Sequence, residues 1–262
     1  GYVTIPVIIS GSLKKIPVLL HEQNAVIGRA NRFLKHFATG IVVCYSQVIP
    51  SFKHKPVRLL GNPRASVVSM LAIDKTILAD FGLDQHKKTV YIVTGSQGSF
   101  SVNHVLKELI IQVQSSPYQF IMVTGRRFYE KFIAGLPIPK HVKIVDFVDQ
   151  IRVLQAVDCV VSRGGATSLS EILAMGKPSI IIPSPFVPDN HQVANALSIA
   201  QNQAGICIEE KDLTAEHLLE QIESILSNET YLNQMSIAAR TLSTPCASQD
   251  ILLWMEELIQ SH

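Results

Sequence analysis

The sequence predicts an α/β fold: two domains, each built on a buried parallel sheet. Three observations carry that expectation. Short, near-continuous β-branched runs recur along the chain, most of them followed by a segment of helical period. The order is therefore β-α-β-α, which right-handed crossovers close into parallel sheets. Two of the apolar runs end in a glycine-rich turn that opens the following helix.

Taken in order, the expected strands are 18–20, 40–44, 90–94, 120–124, 142–145, 159–161 and 179–182. Helical periodicity covers 29–37, 102–114, 128–134, 168–175, 192–201, 215–226 and 231–242, and a last apolar helix covers about 250–259. No internal repeat or low-complexity tract interrupts this pattern. With 262 residues, 47% of them hydrophobic, the chain can bury one large core or two smaller ones. The triplet Gly61-Asn62-Pro63 can continue neither a helix nor a central strand, so a hinge is expected there, an ordinary surface turn being the competing reading. The expected domains are 1–64 and 65–247, with 248–262 as a terminal helix that packs back on the first domain.

Charge divides at the same point. Residues 1–64 carry nine Lys or Arg against one acid, Glu22, whereas the whole chain has 23 basic and 21 acidic residues. A polyanionic partner is expected for the first part. The aromatic and glycine pattern of an RNA-binding sheet is absent, which favours an anionic membrane surface over nucleic acid. No apolar run approaches the ~20 residues that cross a bilayer. The four cysteines are scattered and form no Cys-x-x-Cys pair, so zinc and dithiol chemistry are not expected.

The richest stretch is Ser162-Arg163-Gly164-Gly165-Ala166-Thr167-Ser168-Leu169-Ser170-Glu171. It reads as strand, glycine turn and helix N-terminus, where free N–H groups and the positive helix end suit a phosphate. Glu171 lies one to two turns into that helix, which Gly176-Lys177-Pro178 ends. A carboxylate there can accept two hydrogen bonds from a sugar diol, so one segment could hold both phosphate and ribose. A second turn, Thr94-Gly95-Ser96-Gln97-Gly98-Ser99, lacks the Lys-Ser/Thr of a Walker A loop. Alone it is equally a plain strand–helix turn; paired with the first, it could flank a diphosphate at the carboxyl ends of parallel strands.

Asp189 and Asn190 give a cap signal before His191, Gln192 and Asn195, whose spacing turns polar groups toward one cleft. Neutral amides suit sugar hydroxyls, while His191 reads equally as a capping or solvated residue. His21-Glu22-Gln23-Asn24 follows the first strand, where loops carry function; a satisfied His-Glu pair within the fold is the competing reading. Beyond it, 29–37 is a basic amphipathic helix with Phe33, Leu34 and Phe37 on its apolar side, which packs on a core or touches a membrane.

These residues resemble the MurG family, the N-acetylglucosaminyltransferases that convert lipid I to lipid II in peptidoglycan synthesis. The resemblance rests on five motifs in the family's order: 21–24, 61–63, 95–98, 162–166 with Glu171, and 191–196. It implies a GT-B-type fold of two Rossmann-like domains, the first incomplete, and a cytoplasmic, peripheral place at the bacterial cell membrane. It implies UDP-N-acetylglucosamine (UDP-GlcNAc) as donor and lipid I as acceptor, with no cofactor and no metal. By the same resemblance, Glu171 holds the ribose hydroxyls and the backbone of Val148 meets uracil. Ser96 and the turn Gly165, Ala166, Thr167 and Ser168 hold the diphosphate, and Gln97, Gly98, Leu169 and Ser170 complete the donor-binding set. Arg163 supports that turn, His191, Gln192 and Asn195 read the sugar, and Asn24 faces the transferred sugar across the cleft. Arg64, His21 and Glu22 are weaker candidates.

Three departures accompany the resemblance. The chain opens Gly1-Tyr2-Val3, inside the family's first domain, so the glycine loop and general base are expected upstream of Gly1, and the chain alone is expected to bind the donor but transfer to lipid I poorly or not at all. Arg64 follows Pro63 directly, where the family often has Val between them. His191 stands where some members have Gln. Two other readings remain at this level: a non-catalytic nucleotide-sugar-binding or scaffold protein, and a sugar-nucleotide epimerase that would need His21 and Glu22 as acid and base.

Overall fold

The computed structural model describes residues 3–95 and 98–261. The first part comprises α1 (Thr4–Leu13), β1 (Leu19–Glu22), α2 (Arg29–Leu34), β2 (Gly40–Val43) and β3 (Val57–Leu59), with the strands in a parallel sheet ordered β1-β2-β3. Leu20, Ile41 and Val43 of the sheet bury against Leu34 and against Ile5, Ile8 and Ile9 of α1. The sequence pattern did not announce α1 or β3. The β-branched run of α1 reads as strand, and Pro6 is tolerated because it falls in the first helical turn. β3 is a three-residue edge with no fully buried residue, so it carries no apolar run. The amphipathic helix is also shorter than expected. It ends at Leu34, which is fully buried, while Phe33 lies half exposed beside Phe37.

Gly61 has φ +78°, and a Cβ there would lie 1.8 Å from Thr244 Oγ1, so only glycine fits the junction. Asn62 then caps α3 (Pro63–Ser69), its Oδ1 accepting from the Arg64 N–H at 3.0 Å. The Gly-Asn-Pro triplet thus ends one sheet and starts a helix.

The second part contains β4 (Thr89–Val93), α4 (Phe100–Gln112), β5 (Gln119–Val123), α5 (Tyr129–Ile133), β6 (Val142–Val145), α6 (Gln150–Leu154) and β7 (Cys159–Ser162). It continues with α7 (Ala166–Ala174), β8 (Ser179–Ile181), α8 (His191–Gln201), β9 (Ile206–Cys207), α9 (Ala215–Ser227), α10 (Glu229–Leu242) and α11 (Ala247–Gln260). Its six strands are all parallel, ordered β6-β5-β4-β7-β8-β9. Alternate residues of β4 explain the two cores: Val90 and Ile92 bury under α4 and α9, Tyr91 under α3, α6 and α7. The chain leaves β4 toward one edge and returns to β7 toward the other. The gap between their carboxyl ends is therefore the topological switch point, where open α/β sheets bind ligands.

The terminal helix α11 returns to the first sheet. Trp254 is buried so close to Gly40 that a Cβ there would lie 2.9 Å from its ring. Arg58 of β3 stacks 4.8 Å from the Trp254 ring centroid and pairs with Glu257 at 2.5 Å.

Gly176, at φ +61°, closes α7: its N–H donates to Leu173 and the Lys177 N–H to Ile172, a Schellman arrangement. That turn buries Lys177, whose Nζ donates to the Val157 carbonyl at 2.7 Å. Burial lowers this ammonium to about 8, against an opposing pull from Asp158. Between about pH 8 and the ordinary lysine value of 10.5, the unfolded chain therefore binds more protons than the folded one. The stabilising contribution is complete above 10.5 and is lost as pH falls through about 8. Urea midpoints should rise from pH 8 to 10 in the parent relative to Lys177→Met; parallel profiles would show that Lys177 does not titrate in this window.

Candidate functional site

The turn after β7 and the first two turns of α7 lie at the switch point. Gly165 is the helix N-cap and supplies no capping side chain. The N–H groups of Ala166, Thr167 and Ser168 fall in the first turn, where a helix offers no acceptor, so they and the positive helix end face outward. Helical spacing then sorts the predicted run. Gly165, Ser168 and Glu171, three residues apart, line the crevice. Leu169 is fully buried in the core under α8, and Thr167 is exposed. Ala166 and Ser170 face a separate 290 Å³ cavity near the hinge. Of the 165–170 run, therefore, only Gly165 and Ser168 line the crevice, while Ala166 and Thr167 can reach it through their main-chain N–H groups.

Two pockets share Val93, Gly95 and Ser168 and form one crevice. The smaller, about 220 Å³, is bounded by Tyr91, Phe147, Val148, Gln150 and Glu171. The larger, about 660 Å³, is bounded by Gly98, Ser99, Arg163, Gly165, Ser184 and Gln192. Ser96 and Gln97 lie outside the described residues. Gly98 is required by its neighbours: at φ +72°, a Cβ would lie 2.3 Å from the Thr124 carbonyl oxygen.

Glu171 is only 5% exposed, yet it borders the smaller pocket. Its Oε1 accepts from Arg64 Nε at 2.8 Å and Nη2 at 2.7 Å. Its Oε2 accepts from Gln150 Nε2 at 2.6 Å. Burial, and then the charges of Glu171 and Asp149, push the neighbouring Tyr91 phenol upward, so that wall of the pocket stays neutral.

Gln192 spends its carbonyl on the scaffold. Oε1 accepts from Gly164 N–H at 3.2 Å and Ser184 N–H at 2.9 Å. This leaves its NH2 as the group able to serve a ligand in the larger pocket. Close approach of α8 is possible because residue 164 is glycine; a Cβ there would lie 2.5 Å from the Gln192 carbonyl oxygen. Arg163 Nη2 pairs with Glu210 at 2.7 Å, and Glu210 also accepts from Ser101 at the start of α4, which braces the glycine turn. The Arg163 Nη1 is buried without a hydrogen-bond partner among the described residues.

Other predicted site residues are committed to the protein. Asn195 is fully buried: Oδ1 accepts from the Ala25 N–H at 2.7 Å, and Nδ2 donates to Asn24 Oδ1 at 3.2 Å and Gly164 O at 3.0 Å. In this arrangement it clasps the first part of the chain to the glycine turn rather than presenting its amide to a sugar. His191 turns back, its Nδ1–H donating to Pro188 O at 2.7 Å, and it does not border either pocket. Asn190 heads α8 in a left-handed conformation without a side-chain cap, and Asp189 pairs instead with Arg29 at 3.3 Å.

The His-Glu-Gln-Asn segment folds around its own acid. Glu22 is 2% exposed and accepts on Oε1 from Asn24 N–H (3.1 Å) and Nδ2 (3.3 Å), and on Oε2 from Gly28 N–H (2.9 Å) and Asn31 Nδ2 (2.8 Å). His21 donates Nε2–H to Gly61 O at 3.0 Å, and burial lowers its pKa, which keeps the ring neutral. Both side chains are thus satisfied within the fold, though not by each other: Glu22 by the loop and His21 by the Gly61 carbonyl. Among the described residues, no group of three or more His, Cys, Asp or Glu side chains converges as a metal site.

Comparison with known proteins decides the family. Residues 89–251 match the glycosyltransferase family 28 C-terminal domain, and residues 1–43 match the family 28 N-terminal domain. A UDP-N-acetylglucosamine--N-acetylmuramyl-(pentapeptide) pyrophosphoryl-undecaprenol N-acetylglucosamine transferase of Halalkalibacterium halodurans is 38% identical, covering 98% of this chain and 72% of its own length. The chain belongs to the MurG family. The like-named enzyme of Lactobacillus gasseri is 37% identical over all of this chain and 72% of its own. Acinetobacter baumannii MurG superposes with a TM-score of 0.78 at 26% identity, over 98% of this chain and 71% of that one. A UDP-GlcNAc 2-epimerase from Neisseria meningitidis, TM-score 0.67 at 14% identity over 95% of this chain and 72% of that one, shares the fold alone. This MurG-family chain is thus a GT-B-type hexosyltransferase. Sequence reasoning missed Gln150, Tyr91 and Glu210, since each reaches the site through a contact from a distant element. Gln150 had one local signal, its place just after the helix-capping Asp149.

Proposed function

We propose that this chain holds UDP-GlcNAc for transfer of its N-acetylglucosamine to the C4 hydroxyl of lipid I, with inversion. One observation carries the donor half: Glu171 and the uncapped N-terminus of α7 open onto the same crevice at the switch point. In this reading the smaller pocket takes uridine, with uracil at Val148 and the ribose diol on Glu171. The diphosphate lies at Gly165–Ser168 and Gly98, and Gln192 offers its NH2 to the sugar. As the acceptor hydroxyl attacks the anomeric carbon, negative charge grows on the departing diphosphate. Preorganised N–H donors and the helix end stabilise that charge more than they stabilise the bound donor, which is what accelerates the step.

The acceptor side and the membrane are supported by charge and exposure. Val7 and Leu13 of α1 stand largely exposed beside Lys14 and Lys15, and the half-exposed Phe33 lies on α2 with Arg29 and Arg32. Such an apolar surface rimmed by cations suits an anionic membrane at its cytoplasmic face, where a lipid-linked acceptor would be presented. Among the described residues no helix is long and apolar enough to cross a membrane.

Calorimetric titration with UDP-GlcNAc, UDP and GDP, followed by transfer to a lipid I analogue, tests both halves. UDP and UDP-GlcNAc should bind and GDP should bind at least about tenfold more weakly (~1.4 kcal/mol), because in this reading the Val148 backbone is matched to the uracil edge. Absence of UDP binding would overturn the donor site. Binding of UDP-GlcNAc with transfer only to water would overturn the acceptor assignment.

A further inference from the structure

We propose that Arg64 is the positioning residue that selects which oxygen of Glu171 meets the ribose; this rests on the ribose role of Glu171 proposed above. Both Nε and Nη2 of Arg64 fall on the same oxygen, Oε1, at 2.8 and 2.7 Å. Two charged donors occupy the lone pairs of that atom. Oε2 receives only the neutral Gln150 amide, at 2.6 Å, and keeps acceptor capacity. The diol is therefore read chiefly by Oε2, and the carboxylate plane is fixed before the nucleotide arrives.

The support behind Arg64 is equally specific. Asn62 Oδ1 caps its N–H, and Pro63 occupies the first helical position, which presets the backbone. Ser248 of α11 donates its N–H to Ser66 Oγ at 2.9 Å and its hydroxyl to Pro63 O at 3.2 Å. α3 is thereby tied to the helix that carries Trp254 onto the first sheet. The residue that orients the ribose-binding acid thus stands at the junction of the two parts of the chain. The guanidinium is 44% exposed, so its removal returns no buried cavity to the protein, while the nearly buried carboxylate loses its anchor.

The test is the ratio of UDP to 2′-deoxy-UDP affinity, measured by calorimetry on the full chain for the parent, Arg64→Met, Arg64→Lys and Glu171→Gln. Arg64→Met should weaken UDP about tenfold, as the loss of a charge-assisted anchor implies, and 2′-deoxy-UDP far less, so the ratio collapses. Arg64→Lys should restore little of the UDP affinity and hence little of the ratio, because a point charge cannot fix the carboxylate plane. Equal weakening of both nucleotides by Arg64→Met, with the thermal midpoint retained, would overturn the proposal in favour of direct contact with the phosphates. A ratio lost in Glu171→Gln but kept in both Arg64 variants would also overturn it and leave the ribose reading standing. A ratio unchanged in Glu171→Gln would instead sink the ribose reading itself.

Discussion

Glu171→Ala should cost this chain about 100-fold or more in UDP affinity. The hydrogen bond from the ribose diol to the remaining acceptor position of Oε2 is lost, worth about 1.5–3 kcal/mol when one partner is charged. The site also keeps its carboxylate-binding groups, Arg64 and Gln150, with nothing between them. The fold itself should survive. Alanine is the best helix former, Ile172 and Leu173 still anchor α7 in its two cores, and the half-exposed Arg64 regains water. Titration with UDP and 2′,3′-dideoxy-UDP gives the decisive comparison. The parent should separate the two nucleotides strongly, and the variant should bind both with similar, weak affinity. Equal discrimination in parent and variant would place the diol elsewhere.

The second large effect is on stability. Glu22→Ala should destabilise the first part of the chain by about 3–5 kcal/mol, a sizeable share of the ~5–15 kcal/mol that holds a typical domain. The carboxylate serves four N–H donors at 2.8–3.3 Å, two of them main-chain groups of the 22–28 loop. Its removal strands those donors in a buried setting where water cannot reach them freely. Asn24 then loses the contact that aims its Oδ1 at Asn195, so the clasp between the two parts should loosen as well. Denaturant unfolding monitored alongside UDP binding checks this. A midpoint unchanged from the parent would show that the loop does not depend on the acid, and Glu22→Gln, which keeps one acceptor, should fall between the two.

The periodicity of the sequence was enough for β1, β2 and β4 to β8 and for the glycine turn that opens α7, because apolar runs and a glycine turn leave local marks. The elements it did not reveal are those whose reasons are not local. β3 and β9 are short edge strands, with three and two residues, and α3 begins at a triplet that reads only as a break. Within the site, the segment from Gly165 to Glu171 was legible as a glycine turn opening a helix, but which of its residues line the crevice was not. Asn195 illustrates the limit: an amide at the start of a helix reads as a ligand group, yet three protein partners from two segments already satisfy it.

The sequence by itself determined the α/β class, the family and the segment that carries a phosphate-sized helix tip with an acid on the same helix. It could do so because main-chain conformation and side-chain period are written in neighbouring residues. Only the tertiary structure decided which polar groups are free. Glu22 and Asn195 are spent on holding the molecule together, and Arg64, 107 positions away in sequence, is the group that fixes Glu171. Hydrogen-bonding capacity is finite, and which partner takes it depends on distances that exist only after the chain has folded.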